Sequence, residues 1–148
     1  MFASATLDAL VNAAERFSTA IGQQLEIVQN APASAEFVEK TIAYAQAKTV
    51  YFWALREAMP ELINIGIGKE YRPVQVEEFS GAFSVVGEKQ EKAADEKTLV
   101  LLGRFSGDPD IEKARAEFKR AQKIEEAFHN DFDGIDFTRR SIGGLIGV

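Results

Sequence analysis

Length, composition and charge exclude several classes of protein. A chain of 148 residues fits one domain that is large enough to bury a core, and its 46% hydrophobic and 27% charged residues are globular values that exclude disorder throughout. The absence of cysteine excludes disulfides, thiolate catalysis and Cys-ligated metals, while a net charge of −6 argues against nucleic acid as a partner.

A long amphipathic helix is predicted over residues 4–30. Its apolar residues recur at spacings of three and four, without a proline, until Asn30 and Pro32 stop the pattern. They are Leu7, Leu10, Val11, Ala14, Phe17, Ile21, Leu25 and Val28. Only Asp8, Glu15, Arg16 and Glu26 are charged in this stretch. Alanine fills much of the expected solvent face, so we expect something to cover it.

A second helix is predicted from a cap at Ser34 to Pro60, because a proline ring is incompatible with a helix interior. The run at 61–65 is compatible with one more helical turn before Gly66 and Gly68 break the pattern. It contains Tyr51, Phe52 and Trp53 in succession. Successive helical residues point about 100° apart, so one core-facing stripe does not bury all three. Two interpretations stay open: the second helix is central and touches neighbours on several sides, or Tyr51 and Trp53 contribute to an interaction surface, for a homodimer or for another protein.

The middle of the chain carries weaker signals. Residues 76–94 show helical spacing interrupted by Gly81 and Gly87, and the charged stretch 88–97 is interpreted as a solvated helix face. The apolar run at 98–102 fits either a helix or a strand. We prefer a helical continuation. The alternative is an α+β fold with a small two-stranded element near 73–76 and 98–103.

The last helix has the clearest boundaries. Asp108 is its expected cap, Pro109 its first residue, and its apolar stripe runs to Phe132 before Asp133-Gly134 stops it. Four long helices with short breaks predict an all-α, up-and-down bundle. We expect a single bundle domain over residues 1–137.

Residues 138–148 form a tail that is basic at first and then apolar. Two interpretations stay open: the tail is frayed, or it docks on a partner. In the second case its contributing residues are Arg139, Arg140, Ile142, Leu145 and Ile146.

Residues able to carry chemistry are few. Glu126 and His129 have the Glu-x-x-His spacing of di-iron carboxylate bundles, with Glu125 one helical turn before the histidine. Such centres need two of these motifs, and His129 is the sole histidine. Glu126 and His129 are thus weak metal-ligand candidates. We expect no metal and no cofactor, and we lean against an enzyme.

Three functions are compatible with these features. The preferred one is a non-catalytic protein–protein interaction module, an adaptor, regulator or structural subunit that binds a protein partner or itself as a homo-oligomer. The alternative is a small-molecule binding bundle with an apolar cavity lined by Tyr44, Phe83 and Phe118. The third is a metal-dependent enzyme using Glu126 and His129. With no apolar run long enough to span a membrane and no secretion signal, we expect a cytoplasmic protein.

Overall fold

The computed structural model describes residues 5–30, 34–65, 88–105 and 107–132. These residues contain four helices and no strand: α1 (Ala5–Gln29), α2 (Ser34–Ile65), α3 (Glu88–Arg104) and α4 (Pro109–Asp131). The predicted all-α bundle is confirmed. Residues 98–103 are helical, so the strand alternative is wrong there, and its other half at 73–76 lies outside the described residues. None of the described helices combines the length and apolar character that crossing a membrane requires.

The helices alternate in direction along the chain, as expected for an up-and-down bundle. Among the described helices, the most extensive backbone contacts are between α1 and α2, between α2 and α4, and between α1 and α3. Tyr44 stacks on Phe118 near one end of α2, while Arg56 bonds Asp131 near the other, so α2 and α4 run parallel. Helix α2 therefore has α1 and α4 as neighbours and turns a third side outward.

Aromatic side chains from three helices fill the core. Phe17 of α1 lies between Tyr44 and Tyr51 of α2, with ring centroids 5.8 and 5.3 Å away. Phe52 packs against Phe128 of α4 at 5.6 Å. All five side chains are at most 1% exposed. Burial of large side chains, each contributing roughly 1.5–3 kcal/mol, holds α1, α2 and α4 together.

Helix α2 runs through Pro60 to Ile65, so the predicted interruption at this proline is wrong, while the further helical turn considered at 61–65 is confirmed as part of the same helix. Proline lacks the amide hydrogen that would bond to the residue four positions earlier. The helix nevertheless continues, and it buries Met59 and Leu62 on either side of the proline. Core burial of these two side chains offsets the lost backbone hydrogen bond.

Helix α3 departs further from the sequence prediction. It begins at Glu88, and the predicted helical residues 76–87 lie outside the described part of the chain. The interpretation of residues 88–97 as a solvated face is wrong in part, because Glu91 is only 3% exposed and Ala94 is fully buried. Charge composition predicted solvent contact, whereas the structure pairs the buried carboxylate with a cation from α2.

The turn into α4 has the predicted chemistry. Asp108 is the N-cap, its side chain accepts a hydrogen bond from the Asp110 amide at 2.8 Å, and Pro109 begins the helix. Before it, Gly107 adopts a φ of 97°, in the left-handed region that favours glycine. The helix ends at Asp131, shortly before the predicted stop at Asp133-Gly134. Asp133, Gly134 and the tail lie outside the described residues.

Replacing the cap tests its contribution to stability. We expect Asp108→Ala to lower the free energy of unfolding by about 1 kcal/mol, because it leaves an amide of the first turn unsatisfied. Asp108→Asn keeps the acceptor oxygen and should retain most of the stability. Urea denaturation followed by circular dichroism measures both, and equal losses in the two variants would contradict the capping role.

A buried ion cluster and an exposed face of α2

The centre of the bundle contains a lysine surrounded by three carboxylates. Lys48 of α2 is 1% exposed. Its Nζ lies 3.0 Å from Glu91 Oε2 and 2.8 Å from Asp95 Oδ2, both on α3, and 2.9 Å from Glu125 Oε1 on α4. We call these four residues the ion cluster. It joins three helices through one ammonium group.

Tyr44 extends the ion cluster along α2. Its hydroxyl donates a hydrogen bond to Asp95 Oδ1 at 2.6 Å, and the Lys48 ammonium lies 5.6 Å from the centre of its ring. Asp95 thus accepts bonds from two donors one helical turn apart on α2. Because Tyr44 and Lys48 are four residues apart, their side chains share one face of that helix.

The charges of the ion cluster do not cancel when every group is ionised, since three carboxylates surround one ammonium. Burial raises the pKa of the Asp95 carboxyl above its ordinary value, and the nearby Glu125 charge adds to the rise. The positive charge of Lys48 and the hydrogen bonds donated by Lys48 and Tyr44 lower the pKa of Asp95, but by less than the other two effects raise it. The folded protein therefore holds a proton on Asp95 more tightly than the unfolded chain does.

A second buried polar contact lies next to the ion cluster. The side-chain amide of Gln24 on α1 donates to Thr41 Oγ1 at 3.0 Å and to Thr98 Oγ1 at 2.9 Å. Thr98 is one turn beyond Asp95 on the inner face of α3. The first turns of α3 are therefore attached mainly by polar groups, and Leu101 and Leu102 supply apolar contact at its end.

The three carboxylates of the ion cluster have the oxygen chemistry of a cation site. One oxygen from each of Glu91, Asp95 and Glu125 lies within 4.8 Å of the others. The Lys48 ammonium is within 3.0 Å of all three and supplies a positive charge at this point. The arrangement can thus stabilise helix packing and hold a proton.

The metal candidates from the sequence lie elsewhere. Glu126 is exposed on α4, and the His129 side chain is 54% exposed. His129 Nε2 lies 4.0 Å from Glu125 Oε2, and its ring packs edge-on against Phe52. Of Glu125, Glu126 and His129, only Glu125 belongs to the ion cluster.

Sequence reasoning missed Lys48, Glu91 and Asp95. A usable signal was present in α3, where Glu91 and Asp95 are four residues apart and share a face with Ala94 and Thr98. A small apolar residue and a threonine among charges indicate that this face is not uniformly solvated.

The proposed cavity residues are packed against each other. Tyr44 and Phe118 are stacked with centroids 6.3 Å apart, and both are 1% exposed. Phe83 lies outside the described residues. Tyr51 is also a core residue at 0% exposure, so its predicted place on an interaction surface is wrong. The tail residues lie outside the described part of the chain: Arg139, Arg140, Ile142, Leu145 and Ile146.

Trp53 lies on the outside of α2, so the expectation that one residue of the aromatic triplet points away from the core is confirmed. Its side chain is 55% exposed, and Val50, one turn earlier, is 43% exposed. Gln46 and Ala43 continue the exposed stripe towards the start of the helix. We call these four residues the α2 face. Their spacings of three, four and three follow the heptad pattern of helix pairing, with one amide among three apolar side chains.

Comparison with protein-family models, with curated proteins and with solved structures found no match to this chain. Its function is therefore argued from the geometry of the ion cluster and the α2 face.

Removal of the buried cation should be strongly destabilising. We expect Lys48→Met to lower the free energy of unfolding by about 3–5 kcal/mol at neutral pH, because it leaves carboxylates in the core without their cation. Part of the loss should return at mildly acidic pH, because the pKa of Asp95 is raised by burial and this carboxyl takes up a proton there.

The exposed pair between Arg56 and Asp131 provides the control, since its side chains are 40% and 56% exposed. Arg56→Met should cost about 1 kcal/mol or less. Chemical denaturation of both variants at several pH values makes the comparison. A Lys48→Met loss no larger than the Arg56→Met loss would contradict the structural role of the ion cluster.

Asp95 should give stability a defined pH dependence. Its pKa is raised in the folded state, so the folded protein binds more protons than the unfolded chain between the ordinary and the raised pKa. The contribution of Asp95 to stability therefore falls as pH rises from about 4 through that window.

Asp95→Asn removes this titration and retains a side-chain oxygen for the Tyr44 hydroxyl. The difference in unfolding free energy between wild type and Asp95→Asn should shift in favour of the variant as pH rises. Denaturation curves measured at intervals from about pH 4 to neutrality give this difference. A shift in favour of wild type would show that the pKa of Asp95 is lowered instead.

Proposed function

We propose that the protein is a non-catalytic protein-interaction module, and that its α2 face binds an amphipathic helix of a protein partner. The 55% exposure of Trp53, in a chain whose other large aromatic side chains on α2 are buried, carries the proposal. Tryptophan is enriched among residues that dominate binding energy at interfaces. An exposed tryptophan within a heptad-spaced stripe therefore supports a binding role.

The spacing of the α2 face favours a helical occupant. Ala43, Gln46, Val50 and Trp53 occupy about 15 Å of the α2 axis, at 1.5 Å per residue. A helix with side chains at the same spacing can set them between these four residues. Val50 and Trp53 supply the larger apolar contact, and Ala43 allows close backbone approach.

Gln46 adds a requirement on the partner. Its side-chain amide is exposed and carries both donor and acceptor atoms. A helix that covers the α2 face has to offer hydrogen bonds at this level, because an amide buried without partners is costly. A single polar residue in a heptad stripe thereby selects partner and register at some cost in affinity.

Apolar surface continues from Trp53 towards α1. A shallow pocket of about 310 Å³ is lined by Ala5, Thr6, Ala9, Ala54 and Glu57. Glu57, which lines this pocket, is one helical turn beyond Trp53 on the same side of α2, so a helix seated on the α2 face would lie beside it. The small residues of α1 noted in the sequence are thereby placed next to the proposed binding surface.

The exposed apolar residues of α3 have a different pattern. Leu99 and Val100 are 43% and 56% exposed. They are adjacent in sequence, so they point about 100° apart and do not extend along one stripe. Single exposed apolar residues are ordinary on protein surfaces, so this pair calls for no partner.

Site-specific photo-crosslinking tests the proposal. We expect a photoreactive amino acid in place of Val50 to yield adducts of discrete mass in cells that produce the protein. Trp53→Glu in the same chain should abolish these adducts by placing a charge in the apolar contact. Because Trp53 is exposed, this substitution should change the free energy of unfolding by about 0.5 kcal/mol or less.

Arg120, an exposed residue of α4, is the matched control position for the photoreactive group. It should give none of the adducts seen at position 50. Identical adducts from both positions, or adducts at position 50 that persist with Trp53→Glu, would overturn the role of the α2 face.

A further inference from the structure

We infer that the first turns of α3 are a pH-sensitive switch, which opens away from the bundle as pH rises while the other three helices stay folded. We call residues 88–98 the α3 start. The switch does not involve the α2 face. It depends on how the α3 start is attached, on what remains in place when it leaves, and on the charges that its closure brings together.

The α3 start is attached mainly by polar side chains. Its buried residues are Glu91, Ala94 and Thr98, and only the alanine among them is apolar. Among the described helices, α3 has extensive backbone contact with α1 alone, so long side chains make its bonds to α2 and α4. Apolar burial is the main force that holds helices together. Little of it therefore opposes an outward movement of the α3 start.

The end of α3 is attached more firmly. Leu101 and Leu102 are buried. Arg115 of α4 donates a hydrogen bond to the Leu102 carbonyl oxygen. Phe105, directly after the helix, packs against Phe37 of α2 with ring centroids 5.9 Å apart. These contacts keep the end of α3 in place, so the α3 start opens as a hinged segment and stays joined to the bundle.

The other three helices have a core that does not depend on the α3 start. A chain of ring contacts joins α1, α2 and α4 through Phe17, Tyr51, Phe52 and Phe128. Lys48 also keeps a carboxylate when the α3 start leaves, because Glu125 is on α4 and lies 2.9 Å from its Nζ. The open form thus retains its aromatic contacts and a neutral ion pair.

Opening uncovers donor groups on two helices. The Gln24 amide of α1 and the Lys48 ammonium of α2 both bond to the α3 start, and both residues are 1% exposed in the closed form. Movement of the α3 start gives water access to both. The open and closed forms therefore differ in the polar surface that the bundle presents.

Closure brings like charges together. In the closed form one oxygen from each of Glu91, Asp95 and Glu125 lies within 4.8 Å of the others. Three carboxylates then share one ammonium group, which leaves two negative charges in excess when every group is ionised. Opening moves two of the carboxylates into water, where their repulsion is weaker. A proton bound to the ion cluster consequently favours the closed form.

Asp95 couples the switch to pH. Burial in the closed form raises the pKa of its carboxyl, and the Glu125 charge adds to the rise, while Lys48 and the Tyr44 hydroxyl act in the opposite direction. In the open form this carboxyl is solvated and its pKa returns towards the ordinary value. The closed form therefore binds more protons between the two pKa values. Raising the pH through this window favours opening, by at most about tenfold per pH unit for one proton.

The groups that face Asp95 come from every helix packed against it. Those that are charged or titratable are Lys48 and Tyr44 on α2, Glu125 on α4, with His129 Nε2 4.0 Å from its other oxygen, and Glu91 on α3 itself. From α1 the described side chain at this level is the uncharged Gln24. The charge on Asp95 is thus controlled mainly by groups of the ion cluster and by Tyr44.

Hydrogen exchange followed by mass spectrometry tests whether the α3 start opens separately. In the wild-type protein we expect its amides to be at least about tenfold less protected than those of residues 51–55 of α2 and 118–121 of α4, because local opening exposes them without unfolding of the core. This comparison needs no substitution. Equal protection in the three regions would show that α3 opens only with the whole bundle, and it would overturn the switch.

The pH dependence of the same exchange tests proton control. Protection of the α3 start, corrected for the intrinsic exchange rate at each pH, should fall as pH rises from about 4 towards neutrality. Asp95→Asn removes the titrating carboxyl and keeps an oxygen for the Tyr44 hydroxyl, so its protection should change by less than about twofold over this range.

Glu96→Gln is the matched control, because Glu96 is the next residue on α3 and is exposed. This variant also loses one carboxylate but should keep the wild-type fall in protection. Wild-type protection that rises or stays constant with pH would overturn proton control. A wild-type fall in Asp95→Asn, or loss of the fall in Glu96→Gln, would overturn the role of Asp95 in the switch.

Discussion

A buried ammonium group is the constraint on which the packing of α3 depends. Lys48 is enclosed in the bundle, and its charge is tolerated because Glu91, Asp95 and Glu125 surround it. A shift of α3 by one residue, or a rotation by one position, would remove carboxylates from reach of Nζ. The ion cluster therefore fixes the register of α3 against α2 and α4, in the way that buried polar groups specify alignment in some helical assemblies.

Two kinds of attachment coexist in this bundle. Helices α1, α2 and α4 share an aromatic core that includes Phe17, Tyr51 and Phe128. Helix α3 adds apolar contact mainly at its end, and its first turns rely on ionic and hydrogen-bonded groups. Apolar contact is tolerant of small rearrangements, while the polar contacts of α3 require particular atoms at particular distances. Helix α2 takes part in both, because it carries Tyr51 and Lys48 on neighbouring parts of its inner surface.

Much of the fold could be predicted from local patterns, but the site could not. The spacing of apolar residues predicted α1, and Asp108 with Pro109 predicted the start of α4. The run Tyr51-Phe52-Trp53 required one outward side chain, although only the three-dimensional arrangement identifies it as Trp53. The ion cluster joins residues up to 77 positions apart, and no local period records such a pairing. Composition indicated that Glu91 was solvated, because a glutamate is rarely fully buried unless it is paired. Its partner, Lys48, lies far from it in the sequence and is not visible in the local pattern.

Buried residues and exposed residues of α2 lie close together in the sequence but on different sides of the helix, and this arrangement has an evolutionary consequence. Trp53 follows two core aromatic residues directly, yet its side chain extends away from them. Mutations on the outward side can thus accumulate without disturbing the residues that specify the bundle. Descendants of one ancestral chain could in this way diverge in what they bind while inheriting the same architecture.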